Sequence, residues 1–149
     1  VRITTSISDA MALINAGADI VAYDATNRPR LDKRDDILQA IIQTGSLAMA
    51  DCSTMEDARF ALAAGAKIVG TTLSGYTAET ETSSSAPDFA LLKEFRKLGG
   101  FVMAEGRFNT PQLAAKAMIE GADCVTVGSA LTRIEHVTGW FVDAISGSI

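Results

Sequence analysis

The stretch Ala16-Gly17-Ala18-Asp19-Ile20-Val21 returns twice more along the chain, as Ala64-Gly65-Ala66-Lys67-Ile68-Val69 and as Glu120-Gly121-Ala122-Asp123-Cys124-Val125. Each copy follows a run with helical periodicity and leads into a short β-branched segment. A glycine there stops a helix by taking the left-handed C′ conformation, and the apolar residues after it read as a buried strand. Two looser copies, Gly45-Ser46-Leu47-Ala48-Met49-Ala50 and Gly99-Gly100-Phe101-Val102-Met103-Ala104, fall between and beside them. The chain is thus a succession of αβ units with no hairpin signal between them.

Working outward from the repeat, strands are expected at about 20–24, 47–51, 67–72, 101–105 and 123–128, and helices near 8–16, 33–44, 55–64, 88–98, 110–120 and 133–146. The strands are nearly all apolar, as in a parallel sheet covered on its outer side. Small residues such as Ala22, Ala48, Ala50, Gly70 and Ala104 suit a tightly curved interior. Helix starts are marked by Ser8 before Asp9, by Ser53-Thr54 ahead of Glu56-Asp57, by Pro87-Asp88 and by Thr110-Pro111. One helix precedes the first strand, so the chain begins in the middle of a βα unit.

Five parallel strands close no barrel, and an open doubly wound sheet is the alternative. Eight βα units need roughly 250 residues. At roughly 30 residues per unit, a chain of 149 falls about three units short. Repetition without a Gly-rich dinucleotide turn favours a (β/α)8 TIM barrel with its C-terminal five strands present and its first three β/α units absent. Residues 1–149 form one domain on this reading. The chain opens Val1-Arg2-Ile3-Thr4, without Met and without an n-region or h-region, so a processed or truncated start is expected and a secretory signal is not.

Composition narrows the function classes. Hydrophobic residues make up 48% and charged residues 21%, the balance of an ordinary soluble protein. A net charge of −5 with no basic cluster argues against a nucleic-acid partner. No apolar run approaches the ~20 residues that cross a bilayer. Cys52 and Cys124 have neither metal-type spacing nor a disulfide framework, so a reducing cytoplasm is expected and a metal site is not.

Polar residues gather where the strands end: Asp24, Asp51, Thr71-Thr72, Glu105 and Gly128-Ser129. In a barrel these lie on one rim, the rim that carries active sites. A single acid at a strand end is as often a helix cap; several in register point to proton transfer, because part-burial tunes a carboxylate's pKa. The segment 74–86, polar and aperiodic, reads as a mobile loop at the mouth of that site. The last two loops, Glu105-Gly106-Arg107-Phe108-Asn109-Thr110-Pro111 and Val127-Gly128-Ser129-Ala130-Leu131-Thr132-Arg133, suit phosphate. Gly106 and Gly128 let an anion approach the backbone, Ser129 offers a hydroxyl, and Arg107 and Arg133 offer cationic forks. His136 reads as structural or a loop partner, Cys52 lacks a nearby base, and Trp140, Phe141 and Val142 read as packing against the barrel or a second subunit. The Arg28-Pro29-Arg30 segment suits either an anion or a loop salt-bridge network.

At these motifs the sequence resembles the N-acetylmannosamine-6-phosphate 2-epimerase family. The resemblance runs through 17–26, 47–54, 70–77, 104–111 and 125–136, nearly the whole chain. It implies an isomerase that interconverts N-acetylmannosamine 6-phosphate and N-acetylglucosamine 6-phosphate in bacterial sialic acid catabolism. The reaction removes the proton at C2, α to the C1 aldehyde of the opened sugar, and returns it to the other face. The resemblance implies a small-molecule sugar phosphate as partner and no nucleotide, nicotinamide or metal cofactor. It makes Glu105 the catalytic carboxylate, Asp51 a sugar-binding carboxylate, and Arg133 with Gly106, Arg107, Gly128 and Ser129 the phosphate clamp. The family also places a lysine at the end of its third strand. No lysine here fits, which agrees with that strand lying before Val1. Barrels of this type are commonly homodimers. Competing expectations are another phosphate-binding barrel, a lyase or synthase, and a non-catalytic binder or part of a longer protein.

Overall fold

The repeat's Gly-Ala pair is a helix-ending device in all three copies. The computed structural model describes residues 3–147; Val1 and Arg2 of the opening segment lie outside them. Gly17, Gly65 and Gly121 have φ of 94°, 111° and 108°. Behind each, the amide of the next alanine reaches back over the last helical turn: Ala18 to the Leu13 carbonyl (3.1 Å), Ala66 to Ala61 (2.9 Å) and Ala122 to Ala117 (3.0 Å). This paired closure satisfies carbonyls that the helix leaves open and aims the chain back toward the sheet. A side chain at those φ values would be strained, so the three glycines are required by the backbone.

The elements run α1 (Ile7–Asn15), β1 (Ile20–Asp24), α2 (Arg34–Gln43), β2 (Leu47–Asp51), α3 (Met55–Ala63), β3 (Ile68–Gly70), α4 (Phe89–Arg96), β4 (Phe101–Glu105), α5 (Pro111–Ile119), β5 (Cys124–Thr126), α6 (Ser129–Thr132) and α7 (Ile134–Ser146). The five strands form one parallel sheet in the order β1-β2-β3-β4-β5. Sequential order without a reversal excludes the doubly wound alternative, which needs a switch point. Right-handed crossovers to each next neighbour place the helices on one face. There Val21, Tyr23, Ala48, Ala50, Val69, Val102 and Ala104 are buried beneath Ile37, Ile41, Ala61, Leu92 and Phe95 in one core. The opposite face is partly bare: Ile20, Leu47 and Phe101 are 49%, 44% and 44% exposed. Beyond β1, Thr4 makes a parallel bridge to Tyr23, with its amide on the Ala22 carbonyl at 3.2 Å. Thr4 thus adds a single bridged residue along the β1 edge of the sheet.

Several expected boundaries move. The first helix is capped by Ser6, not Ser8: Ser6 is extended and its Oγ accepts from the Asp9 amide, so Ile7 is already helical. Thr54, Asp88 and Thr110 cap as expected, Thr54 with Asp57 in a reciprocal capping box. The strands expected at 67–72 and 123–128 contract to Ile68–Gly70 and Cys124–Thr126 because their last residues turn away to line the site. The helix expected at 133–146 is α7 with its start moved by one residue, and a short unexpected helix, α6, precedes it, ending where Arg133 leaves helical geometry (φ −125°, ψ 86°). On α7, Ile134, Phe141, Val142 and Ile145 are exposed, so the expected packing of Phe141 and Val142 is not made within the described residues. No described helix is long and apolar enough to cross a membrane.

Candidate active site

Parallel register sets the depth of each rim acid. Asp24 pairs with Asp51, Asp51 with Gly70, and Gly70 with Met103. Glu105 lies two residues beyond Met103 on the same face, one layer nearer the mouth, or about 7 Å along the strand. The three acids are not equivalent. Asp24 is enclosed by its own loop: Thr26 donates to its Oδ1 through amide (2.9 Å) and hydroxyl (2.6 Å), and Arg28 and Arg30 ion-pair with it. Burial works to raise its pKa, but the Thr26 and Arg28 hydrogen bonds and the Arg30 charge outweigh that and lower it. Of the two readings of the Arg28-Pro29-Arg30 segment, the salt-bridge network is the one formed. Arg34 extends it to Asp57 (3.1 Å) and lies 3.9 Å from the Phe60 ring centroid.

Asp51 forms no ion pair among the described residues. It is 1% exposed, and its carboxylate accepts a hydrogen bond from the Thr72 hydroxyl, 2.7 Å from Oδ1. Burial pushes its carboxyl up to about 7; the Thr72 bond opposes this and the charges of Glu105 and Asp24 reinforce it. Glu105 is half-buried, and burial raises its carboxyl too, against a lowering contribution from Thr72. Its backbone is fastened by Thr71, whose hydroxyl donates to the Glu105 carbonyl (2.8 Å) and accepts from its amide (3.1 Å). Gly70 makes room: a Cβ there would lie 2.8 Å from the Met49 methyl and 3.0 Å from the Thr72 hydroxyl.

After Glu105 the chain turns through two left-handed residues, Gly106 (φ 97°) and Arg107 (φ 64°). A Cβ on Gly106 would stand 3.3 Å from the Thr72 carbonyl, so glycine lets this loop close on β3. Left-handed Arg107 costs on the order of 1 kcal/mol. Its side chain is held in return, with Nε donating to Ala86 (2.8 Å) and the guanidinium 5.2 Å from the Tyr76 ring centroid. Gly75 leaves space for that guanidinium. The loop at 74–86 is tied down in its first part, where Ser53, Thr77 and Thr80 share a ring of hydroxyl bonds at 2.6–2.9 Å.

These elements border a cleft of about 520 Å3. Its walls include Thr72, Glu105, Gly106, Arg107, Gly128 and Ser129, so most of the expected site residues converge on one space. Asp51 lies a layer deeper, behind Thr72. Arg133 does not border the cleft; its Nε pairs with Glu135 at 2.7 Å. His136, read from the sequence as structural or a loop partner, and Trp140, read as a packing residue, both line the cleft from α7. Their spacing of four along one helix was the available signal. Cys52 is sealed in the core, where burial first and then the charges of Asp57 and Asp51 push its thiol up, so it is inert. No group of acids, histidines and cysteines suited to a metal ion occurs among the described residues.

Residues 1–147 match the family described as "Putative N-acetylmannosamine-6-phosphate epimerase". The chain belongs to that family. A Vibrio cholerae member, named "Putative N-acetylmannosamine-6-phosphate 2-epimerase", is 56% identical over 144 residues, covering 97% of this chain and 59% of the relative. A Haemophilus influenzae member of the same name is 49% identical over 148 residues, covering 99% of this chain and 64% of the relative. The solved structure of N-acetylmannosamine-6-phosphate 2-epimerase from Clostridium perfringens aligns with a TM-score of 0.90 at 39% identity, over 95% of this chain and 62% of that one. The chain thus spans about six-tenths of the length of these family members.

Proposed function

We propose that this chain is the C-terminal part of a (β/α)8 barrel whose complete form interconverts N-acetylmannosamine 6-phosphate and N-acetylglucosamine 6-phosphate. The observation that carries the reading is a pair of carboxylates, Asp51 and Glu105, that form no ion pair among the described residues and are stepped one layer apart beside a cleft edged by Gly106, Gly128 and Ser129. Epimerisation at C2 needs a base of raised pKa, because a carboxylate near neutrality takes and returns protons best at neutral pH. Glu105 borders the cleft and fills that role. The C2–H bond breaks toward its carboxylate, the electron pair moves into the C1 carbonyl as an enolate, and a proton returns to the opposite face. Asp51 holds a sugar hydroxyl from below.

The phosphate lies at the Gly106 and Gly128 turns, against the Ser129 hydroxyl and the Arg107 fork. Arg133 joins the clamp by exchanging its exposed Glu135 partner for the phosphate, a stronger acceptor for a guanidinium. The second acid/base, a lysine in the family pattern, belongs to the segment upstream of Val1. Three units there, the last strand ending at Thr4, would cover Ile20, Leu47 and Phe101 and receive the apolar side of α7. The complete protein acts in the cytoplasm, and a homodimer is its assembly.

The test is the chain extended by its upstream units, incubated with N-acetylmannosamine 6-phosphate in deuterated water. The expected product is N-acetylglucosamine 6-phosphate carrying deuterium at C2. Absence of both epimerisation and C2 exchange overturns the reading. Intact mass of the natural protein tests the barrel half: a species well above 15.7 kDa is expected.

A further inference from the structure

Thr72 stands where three strands bring two acids together. It follows Gly70 by two residues, which places it on the inner face and, by continuation of the β3–β4 register, level with Glu105. Gly70, without a side chain, lets the Thr72 hydroxyl drop toward Asp51 on β2, where it donates at 2.7 Å. Thr72 is itself 9% exposed and borders the cleft alongside Glu105. Next to it, Thr71 clamps the Glu105 backbone on both its carbonyl and its amide, so Glu105 is anchored on the strand neighbouring Thr72.

A threonine hydroxyl has one proton to give and lone pairs to accept. It cannot donate to two carboxylates at once, yet it can donate to one while accepting from the other. We propose that Thr72 is a positioning residue that couples Asp51 to Glu105, donating to whichever carboxylate is ionised and accepting from whichever is protonated, so that the pair holds one proton between them. When Asp51 carries the proton, its O–H points to Thr72 Oγ1 and the Thr72 O–H points to Glu105. Transfer breaks the Asp51 O–H bond as a new one forms on Thr72, and breaks the original Thr72 O–H bond as one forms on Glu105. One proton moves from Asp51 to Glu105, and Thr72 is again a neutral hydroxyl. The coupling gives Glu105 a reservoir sealed from solvent; its use in turnover rests on the proposed epimerase reading.

The raised carboxyls of Asp51 and Glu105 agree with such a pair, since both lean on Thr72 to offset burial. Other charges face the pair. Asp24 lies beside Asp51 from β1, bound by Arg28 and Arg30, while Arg107 and His136 border the cleft by Glu105. Removing only the Thr72 hydroxyl leaves all of these in place.

The experiment follows the side-chain carboxyl 13C signals of Asp51 and Glu105 against pH in this chain, before and after Thr72→Val. Loss of the hydroxyl removes the state in which one proton is held between the two carboxylates, so their midpoints are expected to draw together by about one pH unit, and Thr72→Ser is expected to restore the separation. An unchanged separation, or a rise of both midpoints together, overturns the proposal. Should Thr72→Val fail to fold, Thr72→Ala removes the same hydroxyl with less added apolar bulk and is read the same way. In the extended protein, the pH profile of kcat is expected to move with the midpoints. The titration needs no substrate, so it stands if the epimerase reading fails, and its own failure leaves the deuterium assay untouched.

Discussion

Asp51→Asn is expected to make the fold more stable above neutrality, although it removes a carboxylate from the centre of the site. The Asp51 carboxyl is 1% exposed and is pushed from its ordinary 3.8 up to about 7. Below pH ~4 it is protonated in the folded and unfolded chains alike, and burial then carries no charge penalty. As pH rises from about 4 to 7, the unfolded chain releases this proton and the folded chain keeps it, so unfolding becomes progressively easier. Above 7 the folded chain must hold a buried carboxylate and the full penalty applies. Roughly three pH units at 1.36 kcal/mol each is on the order of 4 kcal/mol. Asparagine keeps an acceptor for the Thr72 hydroxyl and carries no charge, so its variant lacks this penalty. The assay is urea unfolding of both proteins at pH 4, 5.5, 7 and 8. The fixed cost of seating an amide cancels in the pH dependence, and so does most of the titration of other groups. The stability difference is expected to turn in favour of the variant by a few kcal/mol between pH 4 and 7 and then level off. Parallel curves across that range would refute the argument that Asp51 is buried without a compensating cation.

Glu105→Gln in the extended protein is expected to lower kcat by at least 100-fold with substrate binding retained, because the amide cannot take the C2 proton; near-normal turnover removes Glu105 from its role. Arg133→Ala is expected to raise KM about tenfold or more while kcat changes little, as for a group that binds substrate and transition state alike. Phe95→Ala empties a fully buried position beneath the sheet. It is expected to cost about 3–5 kcal/mol in urea unfolding at an unchanged m value.

What the sequence conveyed about the fold followed how local each requirement is. The Gly-Ala repeat was legible because a left-handed C′ residue and the helix it ends lie within six residues of each other, and Gly17, Gly65 and Gly121 all sit as expected. The short helix α6 was not legible, although the start of α7 was placed within one residue. Four residues between Gly128 and Arg133 are too few to show a helical period. The Ser6 cap was misplaced by two residues because Ser6 and Ser8 both precede acidic or apolar helix formers, and only the extended backbone at Ser6 distinguishes them. Strand ends were overestimated for a related reason. Val69-Gly70-Thr71-Thr72 reads as one β-branched run, while the strand ends at Gly70 and the hydroxyls of Thr71 and Thr72 are directed to Glu105 and Asp51.

The acids of the site could be found from the chain, but their differences could not. Asp24, Asp51 and Glu105 each end a strand, and sequence alone assigns them one kind of place. The structure separates them through neighbours distant in sequence: arginines enclose Asp24, a threonine from the next strand meets Asp51, and a cleft opens beside Glu105. Such distinctions come from register, which sets Gly70 against Asp51 and brings Thr72 level with Glu105. All of those pairings lie within β1 to β4, and every hydrogen bond named for the three acids is made inside them or their loops. The arrangement of the acids therefore depends on adjacent strands and not on closure of a barrel. An upstream segment supplying the opposite wall would meet this set already formed, and the burial and the lysine it brings would then move the Glu105 carboxyl from its midpoint in this chain.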